Sequence, residues 1–131
     1  MEEEEEVKRR KSKYQTPEYL IIFDDLPGML KNTAVTALMK TFRHFKAKIL
    51  ISAHYICDLL PGQTTMLDYC LVFKGTTNKK LEDLRKMVAS GVDEEEFLAL
   101  YKDATAKPHS FLYIDCRENE FRKNFNERYI R

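Results

Sequence analysis

Short apolar runs alternating with amphipathic stretches mark this 131-residue chain as an α/β domain, its sheet mostly parallel and flanked by helices. Three observations carry that expectation. Four runs, YLIIF, KILIS, YCLVF and SFLYI, have the length and composition of buried strands. Between them, apolar residues return at three- and four-residue intervals, in stretches closed by Gly, Pro or a capping residue. The first run breaks off at two adjacent aspartates, and chemistry in such sheets gathers at the carboxyl ends of strands.

Residues 1–16 read as a charged leader, helical or disordered. The segment EEEEEVKRRKSK has acid first and base last, an order that suits a helix dipole, but almost no apolar face to bury. Thr16-Pro17 ends it. The domain then occupies residues 17–131. Residues 19–23 are continuously apolar, as in a parallel strand buried on both faces, and Pro27-Gly28 makes a turn. A helix is predicted over residues 30–45, with Leu30, Ala34, Leu38, Phe42 and Phe45 on one face. A second strand follows at 48–52, a short helix or turn at 54–60 ended by Pro61-Gly62, and a third strand at 69–73. A helix over 79–90 is capped by Asn78 and closed by Gly91. The next begins at Asp93, which with Glu96 resembles a capping box, while Val92 and Phe97 resemble a hydrophobic staple. A fourth strand at 110–114 precedes a last helix carrying Phe121, Phe125 and Tyr129 on one face, with Arg122, Lys123 and Arg128 around it.

The formal net charge of +1 hides a split. Five glutamates occupy positions 2–6; without them the balance is 22 basic to 16 acidic residues, a mildly basic domain that permits a polyanionic partner without demanding one. No apolar run approaches the ~18 residues a membrane helix needs. The acidic start is unlike a signal peptide. Cys57, Cys70 and Cys116 form no CxxC or zinc pattern; Cys70 and Cys116 sit in apolar runs and read as small core residues. A reducing cytosolic, nuclear or virus-internal location is expected.

Asp24-Asp25 carries the strongest chemical signal. Four apolar residues followed by an acidic pair form the Walker B pattern, in which the first acid holds Mg²⁺, usually through water, and the second polarises the attacking water. The alternative is a solvent-facing strand end whose acids cap the next turn. His54, after the second strand, is placed to sense a γ-phosphate or orient water, or else is a structural histidine. His54 and Cys57 alone do not make a zinc site. Lys74 reads as a solvated lysine before a turn. None of the four glycines lies in a G-x-x-x-x-G-K-[ST] sequence, so the chain holds no backbone cradle for phosphates.

The order YLIIFDDL, FRHFKAK, ILISAHY, DLLPGQTTMLDYCLVFKG, with a tail of FLALYKDATAKPHSFLYID and EFRKNFNERYI, resembles the FtsK–HerA superfamily of P-loop ATPases, in particular the genome-packaging ATPases of large DNA viruses, over residues 19–130. The resemblance implies a partial RecA/FtsK-like core: the C-terminal half of such a domain, with its Walker A half missing. It implies Asp24 as the Mg²⁺-associated acid and Asp25 as the catalytic acid that activates water. His54 falls where the family carries a polar sensor, often glutamine. The family's arginine after the proline has no counterpart in Pro61-Gly62-Gln63-Thr64-Thr65. A complete enzyme of this kind is a ring that uses ATP and Mg²⁺ to drive double-stranded DNA into a capsid at a portal vertex, in the virion or viral factory of the host cytoplasm. For this chain alone the expectation is no nucleotide turnover. The expected partners are a Walker A-bearing half or homologous subunits, not a membrane, and the chain is expected to be a split product, a truncated copy or a partial reading frame.

Two readings from other classes stay open. One is a non-catalytic module that binds a partner ATPase or capsid protein. The other is a phospho-receiver domain, with Asp24 or Asp25 as acceptor, Ser52 as hydroxyl and Lys74 as lysine; a receiver also needs an earlier strand with an acidic pair, and only the glutamate run precedes residue 17.

Overall fold

The computed structural model describes residues 2–5, 17–26 and 28–131. Of the charged leader only residues 2–5 are described, and they are helical; the rest of it lies outside the described residues. The elements then run β1 (Tyr19–Asp24), α1 (Thr33–Thr41), β2 (Ala47–Ser52), α2 (Pro61–Thr64), β3 (Tyr69–Phe73), α3 (Asn78–Val88), α4 (Glu94–Ala104), β4 (Phe111–Asp115), β5 (Glu120–Lys123) and β6 (Glu127–Arg128). Short 3₁₀ turns at Phe42–Phe45 and Ile56–Asp58 extend α1 and follow β2.

The α/β class and the parallel pairing of the first two strands stand as expected. β1 and β2 run parallel in register from Tyr19 opposite Ala47 to Asp24 opposite Ser52. A mostly parallel sheet does not: β3, β4, β5 and β6 form a second sheet, antiparallel throughout. The reason lies between β3 and β4. One helical pass returns a chain to the end where its strand began, which yields a parallel neighbour. Here two helices, α3 and α4, intervene, and the second pass undoes the first.

Local chemistry explains the helix boundaries. Asn32 Oδ1 accepts the Ala34 N–H at 2.8 Å, so α1 starts after the predicted position, and its last turn tightens to 3₁₀. Thr77, not Asn78, caps α3. Asp93 Oδ1 accepts the Glu96 N–H at 2.7 Å at the start of α4, and the staple residues Val92 and Phe97 are both buried.

The predicted C-terminal helix is instead a β-hairpin. Phe121, Phe125 and Tyr129 recur every four residues, a helical interval, but Phe121 is buried, Phe125 exposed and Tyr129 half-buried. Asn119 and Asn124 adopt φ of +53° at the turns on either side of β5, a region that asparagine tolerates better than most residues. The Tyr129 N–H closes the hairpin on the Phe121 carbonyl at 2.9 Å.

The core packs α3 and α4 against one face of the second sheet, with Leu81, Leu84, Phe97, Leu112, Ile114 and Phe121 at its centre. Cys70 and Cys116 pack against it, as predicted. β1 is not buried on both faces: Leu20 and Ile22 are exposed, as is Leu50 beside them on β2.

Candidate functional site

Parallel register places the carboxyl ends of β1 and β2 side by side. Asp24, the last residue of β1, stands opposite Ser52, the last of β2. The Asp25 N–H donates to the Ser52 carbonyl at 3.0 Å, which carries the pairing one residue past the strand. Asp25 has φ of +51°, a left-handed bend that ends β1 abruptly and that aspartate tolerates. Two residues beyond β2, His54 Nε2 lies 3.1 Å from Asp25 Oδ1. Both side chains are exposed, the imidazole 78% and the carboxylate 60%, so a reactant approaching from solvent can reach them.

The loops behind these residues are anchored. The Tyr55 hydroxyl, next to His54, donates to Asp83 of α3, and that bond raises the phenol's pKa above its ordinary value. Lys80 Nζ sits 5.5 Å from the centroid of the Tyr55 ring. Gln63 is wholly buried. Its Oε1 accepts the Leu60 N–H at 2.9 Å; its Nε2 donates to the Leu30 carbonyl at 2.7 Å and to Thr36 Oγ1 at 3.0 Å. One amide therefore joins the loop that follows the aspartates to the loop that follows the histidine. Sequence reading passed over Gln63, since a glutamine in a Pro-Gly turn carries no signal of burial. Tyr55 and Asp83, 28 residues apart, left none either.

Lys74 is exposed, past the end of β3. β3 is hydrogen-bonded to β4, not to β2, so strand pairing does not bring Lys74 to the aspartates. Burial pushes the Cys70 thiol up to about 12 and the Cys116 thiol up to about 11, so both stay protonated at neutral pH. Among the described residues no three His, Cys, Asp or Glu side chains gather as a metal cage. Mg²⁺ asks for less: it binds through one or two carboxylates and keeps several waters beside substrate phosphates. Asp24, Asp25 and Ser52 stand at adjoining strand ends and are of the residue types that could hold it. Among the described residues no helix is long and apolar enough to cross a membrane.

No protein-family model and no curated protein matches this sequence. Two solved structures share its fold. The DNA-packaging ATPase B204 from Sulfolobus Turreted Icosahedral Virus matches with a TM-score of 0.64 and 19% identity, over 88% of this chain and 55% of its own. The genome packaging NTPase B204 from Sulfolobus turreted icosahedral virus 2, solved in complex with AMPPCP, matches with a TM-score of 0.61 and 20% identity, over 86% and 55%. This chain thus spans about half the length of the structures it matches.

Proposed function

We propose that this chain contributes the Walker B and sensor segments of an ATP-driven viral DNA-packaging motor, and that these segments act only together with a phosphate loop. The observation that supports this reading is the Asp24–Asp25 pair at the tip of a parallel strand pair, with His54 3.1 Å from Asp25, on a fold shared with two packaging NTPases. In this reading Mg²⁺ supplies charge neutralisation between the phosphates of ATP when bound. Asp24 would hold the ion. Asp25 accepts a hydrogen bond from the attacking water and draws on its proton as the phosphoryl group departs. His54, whose Nε2 lies 3.1 Å from Asp25 Oδ1, positions that carboxylate. The phosphate loop, with its backbone N–H cradle and lysine, lies outside these 131 residues, among which no G-x-x-x-x-G-K-[ST] occurs. Double-stranded DNA, a capsid or portal vertex, and a place in the virion or viral factory belong to the same proposal, as does the division into a leader over 1–16 and a half-domain over 17–131.

The test is hydrolysis of ATP with Mg²⁺ by the chain alone and by the chain co-purified with a phosphate-loop polypeptide. The pair is expected to turn over and the chain alone is not. Asp25→Asn should lower turnover of the pair on the order of 100-fold or more, the scale of a lost general base, while nucleotide still binds. Turnover by the isolated chain that disappears in Asp25→Asn would overturn the half-enzyme. A pair indifferent to Asp25→Asn would leave the non-catalytic module as the reading.

A further inference from the structure

Charge is sorted along the second sheet and its helices. From residue 69 onward the chain has five arginines, and each meets an acid: Arg85 meets Glu82, Arg117 meets Asp68, Arg122 and Arg128 share Glu120, and Arg131 meets Glu96. Of the seven lysines in the same stretch, Lys86 approaches Glu82 at 4.0 Å and Lys80 lies against the Tyr55 ring. Lys74, Lys79, Lys102, Lys107 and Lys123 form no ion pair among the described residues. The open face of the sheet does not carry them: it presents exposed Tyr69, Phe73 and Phe125, with Arg122 beside them held by Glu120.

The five converge on one end of the sheet. β3 finishes at Phe73, which stands opposite Phe111, the first residue of β4. Leu112 stands opposite Lys123, the last residue of β5. The end of β3, the start of β4 and the end of β5 are therefore neighbours. Lys74 follows the first, Lys107 shortly precedes the second and Lys123 closes the third. The helices bring the rest: α3 starts at this end with Lys79 and Lys80 in its first turn, and α4 finishes here with Lys102 in its last. The Tyr101 hydroxyl fastens α4 to the loop after β3, donating to the Phe73 carbonyl at 3.1 Å and accepting the Thr76 N–H at 3.2 Å. Acids gather at the far end, with Asp93, Glu94, Glu95 and Glu96 where α4 begins and Asp115 and Glu120 on the strands. At the near end Asp103 accepts the Tyr129 hydroxyl at 2.5 Å and Glu127 stands opposite Lys123. Lys74, Lys79, Lys102 and Lys107 are left exposed and unopposed.

Like charges gathered without counter-charges repel one another. Lys79 adds to the cost, since it stands at the positive end of the α3 dipole, in a first turn that has no acid. A polyanion relieves both, and releases its own counterions as lysines meet phosphates. The cluster issues from strand ends and helix ends, both layers of the domain, a wider spread than a single carboxylate or phosphate group needs. A duplex carries one charge per about 1.7 Å of its axis and meets them all. Lysine is a point charge on a flexible stem, without the fork that arginine offers to a base edge. We infer that this lysine end of the second sheet binds the phosphate backbone of duplex DNA without regard to sequence. That the anion is a duplex rests on the proposed function; the place of contact rests on the sorting of charge.

The probe is a labelled duplex of mixed sequence, titrated with the full chain and followed by fluorescence anisotropy at rising KCl. Four engaged lysines give a slope of about −3.6 in log K against log salt, so binding should weaken on the order of 100-fold between about 50 and 200 mM KCl. Each of Lys74→Gln, Lys79→Gln, Lys102→Gln and Lys107→Gln should lower the slope by about 0.9, and the four together should remove most of it and weaken binding at low salt at least ~10-fold. All four side chains are exposed, so far-UV circular dichroism and the urea midpoint should hold. Lys86→Gln, at the far end of α3, should leave binding unchanged. Absence of duplex binding, or binding indifferent to the four substitutions, overturns the inference. So does displacement of the duplex by polyglutamate at equal charge, which assigns the lysines to an acidic protein, or by MgATP at equal phosphate, which assigns them to the nucleotide. Asp25→Asn separates this site from the proposed catalysis. Duplex binding that depends on the lysines upholds the site even where hydrolysis does not depend on Asp25, and Asp25-dependent hydrolysis beside lysine-independent binding does the reverse.

Discussion

Gln63 has no exposed surface, yet each polar atom of its amide finds a partner. Such a group stabilises while complete and becomes costly when cut, because the atoms it leaves behind stay buried without water. Gln63→Leu should destabilise the fold by about 3 kcal/mol, from stranding the Leu30 carbonyl and the Leu60 N–H, read as a lower urea midpoint. The same variant should loosen the His54–Asp25 approach, since it frees both loops. At Cys70 the effect is one of pH. The folded thiol holds its proton to about pH 12, whereas the unfolded one releases it near the ordinary value of 9.0. Below pH 9 both states are protonated and no stability is lost. Above it the unfolded state binds fewer protons than the folded one, so stability falls as pH rises towards 12. Urea melts at pH 8 and pH 10.5 should show that decline, and Cys70→Ala should flatten it.

The C-terminal hairpin rests on two left-handed asparagines more than on its length. β6 pairs only Glu127 and Arg128 with β5. Asn124 holds φ of +53°, and its Oδ1 accepts the Phe111 N–H at 3.2 Å. Asn124→Ala should cost about 1–2 kcal/mol, from the left-handed backbone penalty. Asn124→Gly, which relieves that penalty and loses only the side-chain bond, should cost less; comparing their melting temperatures checks the order. This hairpin is where sequence reading erred most. Phe121, Phe125 and Tyr129 fall at helical spacing, and nothing local distinguishes that spacing from a strand, a turn and a strand. The alternation of Phe121 inward and Arg122 outward acquires meaning only once β4 lies alongside.

For the whole molecule, apolar surface is distributed unevenly. One face of the second sheet is sealed by two helices, while its other face and the Leu20, Ile22 and Leu50 side of the first sheet meet solvent. Among the described residues β2 pairs only with β1, and β3 only with β4, so each sheet ends on an edge that offers N–H and C=O groups to another chain. The isolated protein should therefore bind a dye for exposed apolar surface and should self-associate as its concentration rises. Light scattering measures the second effect, and a co-expressed partner should suppress both.

By itself the sequence determined β1 to β4, the Asp93 cap of α4 and the acidic pair at the end of β1, because apolar runs, a capping side chain and a carboxylate at a strand tip are local properties of neighbouring residues. It also placed His54 just past the second strand. Only the tertiary structure decided that β4 runs against β3, that His54 reaches Asp25, that Gln63 is buried between two loops, and that a face of aromatic rings is left open. Each of these depends on residues far apart in the chain being brought together, by pairing of β1 with β2 or by burial of α3 and α4 on the second sheet, and the free energy is shared among contacts that no short stretch contains.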